Sequence, residues 1–287
     1  MKKKLIGIVV LMLVATTVVS ATNTFNMKKK IEPKTCSVDV PVWKKGDSWT
    51  YNYHRAEYRY NGSTLWYTLY YNASFTQTVT DDTGGNYTLK ITSKNSEGRA
   101  YIGSYRLKFT ALTKWNDELN LRKTDLACVR EASQIKGLVF WLIGGVLPFP
   151  AQYQQVGTAS FITPEVFLPF PLTVGDGTLP GCSYSFEEKC SLYWGLITLF
   201  NNPAQTITQS ALPYHCEMTN ITVPAGTHNA YNVSVDFPVG IHGHYSWVQY
   251  YVPDLGYNAK WYVHYTLGGG QPAQDLLVEL VSTTFTP

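Results

Sequence analysis

Between Trp49 and Leu280 the chain alternates residue by residue between two side-chain classes, and short Gly, Pro, Asn and Asp clusters cut that alternation into runs. Period-two alternation sorts side chains onto the two faces of an extended strand, whereas a helix face needs a repeat near 3.6. Trp49, Tyr51 and Tyr53 alternate with Thr50, Asn52 and His54; Tyr87, Leu89 and Ile91 alternate with Thr88, Lys90 and Thr92. Tyr245, Trp247, Gln249 and Tyr251 repeat the pattern late in the chain, followed by Ala259, Trp261, Val263 and Tyr265. Asn61-Gly62, Asp81 to Asn86, Asn95 to Gly98 and Pro253 to Gly256 supply the turns. Runs this regular predict a mainly β protein: one or two antiparallel curved sheets, or a half-barrel, with little helix.

Two stretches break the pattern. Residues 117–135 are expected to form one or two strands, with a short helix around Ala127 to Gln134. Leu138 to Pro150 is apolar at both alternate positions, which fits a buried strand, a loop over the core, or an apolar contact surface. Leu172-Thr173-Val174-Gly175-Asp176 echoes Trp43-Lys44-Lys45-Gly46-Asp47, each an apolar residue followed by Gly-Asp at a strand start. The echo predicts two similar halves, residues 38–165 and 166–287, packed as one unit.

The N-terminus carries Lys2, Lys3 and Lys4, then an apolar run from Leu5, then small residues at Val19-Ser20-Ala21. That three-part order predicts a secretory signal over residues 1–21, with a retained N-terminal anchor as the rival reading. Residues 22–37 read as a flexible tether. The chain has 23 Lys and Arg against 20 Asp and Glu, so removing the three leading lysines leaves it formally neutral. No nucleic-acid partner is expected from that balance, and a membrane is expected only through a retained N-terminal segment. The expected location is secreted or at the cell surface. Export permits disulfides. Of Cys36, Cys128, Cys182, Cys190 and Cys216, the pair across a short stretch, Cys182 and Cys190, is the first expected bridge. Sequons at Asn61, Asn72, Asn86, Asn220 and Asn232 are candidate glycosylation sites on an exported surface.

Catalytic patterns are sparse. Asp82-Thr83-Gly84 has the triplet of an aspartic protease but lies in hairpin material, and its only counterpart, Asp176-Gly177-Thr178, has the wrong order. There is no Gly-x-Ser-x-Gly elbow, phosphate-binding glycine loop or Cys-x-x-Cys pair, and no cofactor is expected. His242 and His244 would share one face of a strand and form a candidate metal site. The aromatic faces are the more suggestive feature: Tyr51, Tyr53, Tyr67, Tyr71, Tyr245, Trp247, Tyr251, Trp261 and Tyr265 would line a sheet. Left open on a concave face, such rings hold a lipid tail or stack on a sugar. The expected function is a non-enzymatic exported binding domain with a hydrophobic ligand in an aromatic groove. A structural or adhesive envelope protein and a metal-dependent enzyme using His242 and His244 are the alternatives.

Three motifs stand out together: Trp43 followed by Gly46-Asp47 and Trp49-Thr50-Tyr51, then Val223 to Thr227, then Tyr250 to Gly256. In these the chain resembles the TapB-like family of uncharacterised exported prokaryotic β domains, and more loosely the half-barrel of lipoprotein carriers of the LolA kind. The resemblance runs from about Val38 to Phe285 and implies a fold and an export route but no activity. The chain departs from the family at His228, where an aromatic usually follows Gly-Thr.

Overall fold

The computed structural model describes residues 37–61, 63–102, 105–109, 114–143, 147–192, 197–239 and 243–287. In chain order its strands are β1 (Ser37–Val38), β2 (Ser48–Asn61), β3 (Thr64–Asp81), β4 (Asn86–Ile102), β5 (Tyr105–Phe109), β6 (Lys114–Arg122), β7 (Cys128–Ile143), β8 (Leu147–Glu165), β9 (Leu172–Thr173), β10 (Gly175–Leu179), β11 (Cys182–Leu192), β12 (Ile197–Gln209), β13 (Leu212–Val223), β14 (Gly226–Val239), β15 (Gly243–Val252), β16 (Tyr257–Thr266) and β17 (Pro272–Thr283). The molecule is mainly β, as the alternation predicts. Where a helix was expected around Ala127 to Gln134, the chain instead enters β7. The reason is lateral: Arg130 to Lys136 of β7 pair with β6 on one side and β8 on the other, which satisfies the backbone without helical bonds.

β1 and β9 form a small ladder of their own, and the other fifteen strands form one antiparallel sheet. β5 and β6 both lie between β4 and β7, one after the other, and so share a lane. β10 and β12 are the two ends of the path of paired neighbours. They are also the two continuations of one ribbon. β10 passes into β11 through Pro180-Gly181, β12 passes into β13 through Ser210-Ala211, and the two breaks lie opposite each other. The pairs Leu179↔Leu212 and Cys182↔Gln209 flank them. The ribbon is bonded to β8 through β11 and to β14 through β13, while β17 is bonded to β2. Three pairs of strands thus share lanes, and the twelve lanes that result close into a ring in which each lane neighbours the next in sequence. Closure removes most of the free edge that an open sheet exposes. The residues expected to form two halves therefore meet along two seams, β8–β11 and β17–β2. Gly181 sits at the kink, where an added Cβ would stand 2.5 Å from the Gln209 carbonyl oxygen. A side chain there would force the two chains of the ribbon apart.

An up-and-down ring has two ends. The base holds the connections β3–β4, β6–β7, β8–β9, β13–β14 and β15–β16; the rim holds the alternate ones. The base is filled by side chains. Trp43 and Trp49 have ring centroids 5.2 Å apart, and Tyr87 and Tyr257 stand 5.0 and 5.4 Å from Trp43. Their polar atoms are matched: the Trp43 Nε1–H donates to the Gly256 carbonyl at 2.9 Å, and the Trp49 Nε1–H to the Leu255 carbonyl at 2.7 Å. The Tyr51 hydroxyl donates to the Asn258 carbonyl at 2.8 Å. Each ring removes roughly 150–250 Å² from water, worth roughly 4–6 kcal/mol gross. The β8–β9 connection and β9 pack beside this core: Leu168 of the connection and Leu172 of β9 are buried with Cys216, Tyr231, Val233 and Tyr251.

All three motifs behind the family resemblance lie at this base. Trp43 and Trp49 bond the Pro253 to Gly256 turn, and the Ala225 N–H of the Val223 to Thr227 corner donates to the Leu280 carbonyl at 3.1 Å. The Gly-Asp echo also has a local meaning. Gly46 and Gly175 both hold positive φ, at 102° and 127°, and Trp43 and Leu172 before them are both buried.

The disulfide expectation fails. Cys182 is a free, buried thiol, and Cys182 and Cys190 lie on the same strand, β11. Eight residues of extended chain separate their Cα atoms by about 26 Å, against the roughly 6 Å a disulfide needs. Cys128 and Cys216 are likewise free and buried, and Cys36 lies outside the described residues.

Candidate functional site

The ring's inner surface is built from two unlike walls. The first comes from β15, β16, β17, β2 and β3, and it collects most of the sequence-predicted aromatic residues. Register places Tyr245 opposite Tyr265, Trp247 opposite Val263 and Gln249 opposite Trp261. Trp261 in turn lies opposite Val278, which lies opposite Tyr53, which lies opposite Ala73. These residues share one alternate set, so closure turns them all inward. Tyr51, Tyr53, Tyr71 and Tyr251 are buried outright and belong to the packed core. Trp261 packs edge-on against Tyr51 at 5.0 Å, and Phe170 meets Tyr251 at 5.2 Å. Further toward the rim, Tyr245, Trp247, Trp261 and Tyr265 are only half-buried. The side chain of Tyr67 lies outside the described residues.

The second wall comes from β6, β7, β8 and β11 and carries carboxyl groups. Asp117, Glu131, Glu165 and Glu188 are all buried. One Asp117 oxygen accepts the Trp115 Nε1–H, while Oδ1 has no hydrogen-bond partner among the described residues. Burial pushes the Asp117 carboxyl up to about 7 and the Glu165 carboxyl up to about 8. Glu131 is driven well above the usual range by burial first, then by Asp117 and Glu165. Glu188 is raised by burial and partly held down by the Gln155 and Asn202 side-chain amides, which donate to it. The nearby Tyr184 hydroxyl is raised by burial and then by Glu165; Tyr245, from the aromatic wall, is raised by the same two causes in the same order. Glu165 therefore acts on both walls.

Among the described residues the one buried cation is Arg55, and its guanidinium binds Glu57 at 2.8 Å. It is not available to the carboxyl wall as a counter-charge. A carboxyl without a cation in a dry interior keeps its proton near neutral pH. Such groups donate and accept hydrogen bonds without bringing net charge inside.

The candidate metal site does not assemble. The His244 Nε2 is paired with Asp236 Oδ1 on the outer surface, and His242 lies outside the described residues. Among the described residues no three His, Cys, Asp or Glu side chains converge as a metal site. The outer histidines repeat one arrangement. His264 Nδ1 meets Asp275 Oδ1 at 2.6 Å, His215 Nδ1 meets Asp176 Oδ1 at 2.7 Å, and His54 Nδ1 meets Asn72 Oδ1 at 2.8 Å. These are cross-strand polar pairs on a wet sheet face. Of the sequons, Asn72, Asn86 and Asn220 are exposed, whereas Asn232 is partly buried and its side-chain amide donates to Glu217 Oε1 at 3.0 Å. Asn61 lies in β2, and its side chain is outside the described residues.

The carboxyl wall was not singled out from sequence, though a signal was there. Asp117 falls in the alternate set of Trp115, Leu119 and Leu121, and Glu131 in that of Ser133 and Ile135. An acid inside an apolar set is the readable mark of a buried carboxyl.

Compared with known proteins, the chain matches no family model, no curated protein and no solved structure. The fold itself sets the class: an all-β protein built on one large antiparallel sheet.

Proposed function

We propose that this is an exported, non-enzymatic binding protein whose interior holds a lipid or other hydrophobic ligand against the aromatic wall. The observation that carries this reading is the incomplete burial of Tyr245, Trp247, Trp261 and Tyr265. They stand in the same inward set as Tyr51 and Tyr53, which are 0% exposed. Inward rings that the protein's own side chains cover only in part offer their remaining apolar area to a guest. The protonated carboxyls opposite would meet a polar head group on that guest through uncharged hydrogen bonds. The export pattern at residues 1–21 supports a role outside the cell, where a hydrophobic compound needs a carrier.

Native mass spectrometry of the protein purified from its own cells tests the reading. A retained hydrophobic compound, lost in a Trp247→Ala/Trp261→Ala variant that keeps its fold, is the expected result. A purified protein of bare polypeptide mass, which also fails to quench its tryptophan emission with added fatty acid or isoprenoid lipid, would overturn it.

A further inference from the structure

The ribbon that closes the ring also overshoots it. β13 and β14 are paired at His215↔Ser234, and continuing that register sets Val239, the last residue of β14, level with Ser210. There the chain turns back into β15, which is paired with β14 up to Val239↔Gly243. β12 (Ile197–Gln209) therefore runs on for 13 residues beyond the end of β14. Among the described residues it is bonded only to β11. In an antiparallel ladder alternate residues turn their N–H and C=O to opposite neighbours, so half of the β12 backbone groups point to an open edge.

Asn201 to Thr206 are exposed at every position, in both alternate sets. In β11 beside them Tyr184, Phe186 and Glu188 are buried and Glu187 and Lys189 are exposed, the pattern of a strand with one wet face. Edge strands are commonly guarded by charge, a proline or a bulge. Here Pro203 and the bulge opposite Glu187 interrupt the edge once. Ala204 to Gln209 beyond them form an unbroken run, and no Lys, Arg, Asp or Glu occurs from Cys190 to Tyr214. The other end of the path of paired strands, β10, is guarded: it has 5 residues, opens on Gly175 at positive φ and carries Asp176.

From this free, uncharged edge we propose that β12 pairs antiparallel with the β12 of a second copy, so that two rings share one continuous sheet across a twofold axis. Each copy offers the other the same row of N–H and C=O groups that it leaves unpaired itself. Charge points to the same partner. Self-pairing brings like residues near each other across the axis, where like charges are destabilising, and this strand has none in any register. A charged peptide would find no opposite charge on β12 to bind. The 13 extended residues reach about 44 Å, and a sheet edge about 10 Å deep then gives roughly 400 Å² for each partner. That is about half of a standard interface, so the dimer forms and parts with concentration. The pairing does not depend on the barrel holding a ligand.

Sedimentation velocity and hydrogen–deuterium exchange on the full chain, from low micromolar to near-millimolar concentration, test the inference. The mass should rise from monomer to dimer, and peptides covering 197–209 should exchange more slowly as it does, while peptides covering 175–179 keep their rate. Thr206 and Thr208 are exposed. In Thr206→Lys/Thr208→Lys the dissociation constant should rise on the order of 10-fold, and added salt should reverse the loss. Thr206→Glu/Thr208→Glu should behave alike, and an equimolar mixture of the two variants should dimerise at least as tightly as the wild type. If either variant fails to fold, exchange in the wild type decides. A monomer over the whole range, protection confined to peptides outside 197–209, or a dimer that both charge variants leave unchanged would each overturn the proposal. Association through the apolar N-terminal stretch gives the second and third of these outcomes and so cannot pass for the expected one.

Discussion

The aromatic wall and the carboxyl wall face each other across one interior and obey the same alternation, yet they treat their buried groups in opposite ways. On the aromatic side the donors at the base are matched, although the buried Tyr53 hydroxyl has no hydrogen-bond partner among the described residues. Trp43, Trp49 and Tyr51 each place their one donor on a carbonyl at the base, and Arg55 and Glu57 neutralise each other. On the carboxyl side Asp117, Glu131 and Glu165 are buried with no cation among the described residues to meet them. Burying a proton-bearing carboxyl is tolerable; burying a carboxylate is not. The first wall contributes stability, and the second holds a titratable surface that costs stability as pH rises.

Replacing a base ring should give the largest effect. Trp49→Ala removes a side chain that is 0% exposed, together with its hydrogen bond, and should cost about 4 kcal/mol, read by chemical denaturation. A cost near 1 kcal/mol would mean that the base is not the packed end. Breaking the ion pair comes next. Arg55→Met removes the guanidinium from beside the buried Glu57 carboxylate and should cost about 3 kcal/mol, while Arg55→Met/Glu57→Gln recovers most of the loss in a double-mutant cycle.

The carboxyl wall makes the opposite prediction. Asp117 and Glu165 have folded-state pKa values near 7 and 8, above their ordinary values of 3.8 and 4.5. The folded state therefore binds more protons than the unfolded chain between about pH 4 and pH 8, and stability falls as pH rises through that window. Glu165→Gln should flatten the decline, gaining about 4 kcal/mol at pH 8 and nothing at pH 4. A thermal midpoint constant from pH 4 to pH 8 in the wild type would place these carboxyls in water. The smallest effect belongs to the outer face. His264→Asn should change stability by less than about 1 kcal/mol, because its partner Asp275 is half-exposed to solvent.

Much of the fold was legible in the sequence. The alternation at Trp49 to Tyr53 and at Tyr245 to Tyr251 identifies strands and their inward residues, since one face must meet the core and the other water. The turns at Asp81 to Asn86 and Pro253 to Gly256 follow from backbone preferences of Asp, Gly and Pro. The Ala127 to Gln134 segment was misread because local propensity there is weak and two lateral partners decide the outcome. The Cys182–Cys190 bridge was misjudged because sequence spacing does not say whether intervening residues turn or extend. The candidate site was half legible: the aromatic wall is written in period two, but the meeting of Glu131 and Glu165 with Tyr184 and Tyr245 is not.

By itself, then, the order of residues determined that this chain would be pleated, which side chains each strand would hide, and where it would turn, because these depend on neighbours a few positions away. Closure of the ring was decided only in three dimensions. So were the seams β8–β11 and β17–β2 and the confrontation of rings with carboxyls. Each depends on hydrogen bonds and packing between residues distant in sequence, and any strand of suitable pattern satisfies the local rules equally well.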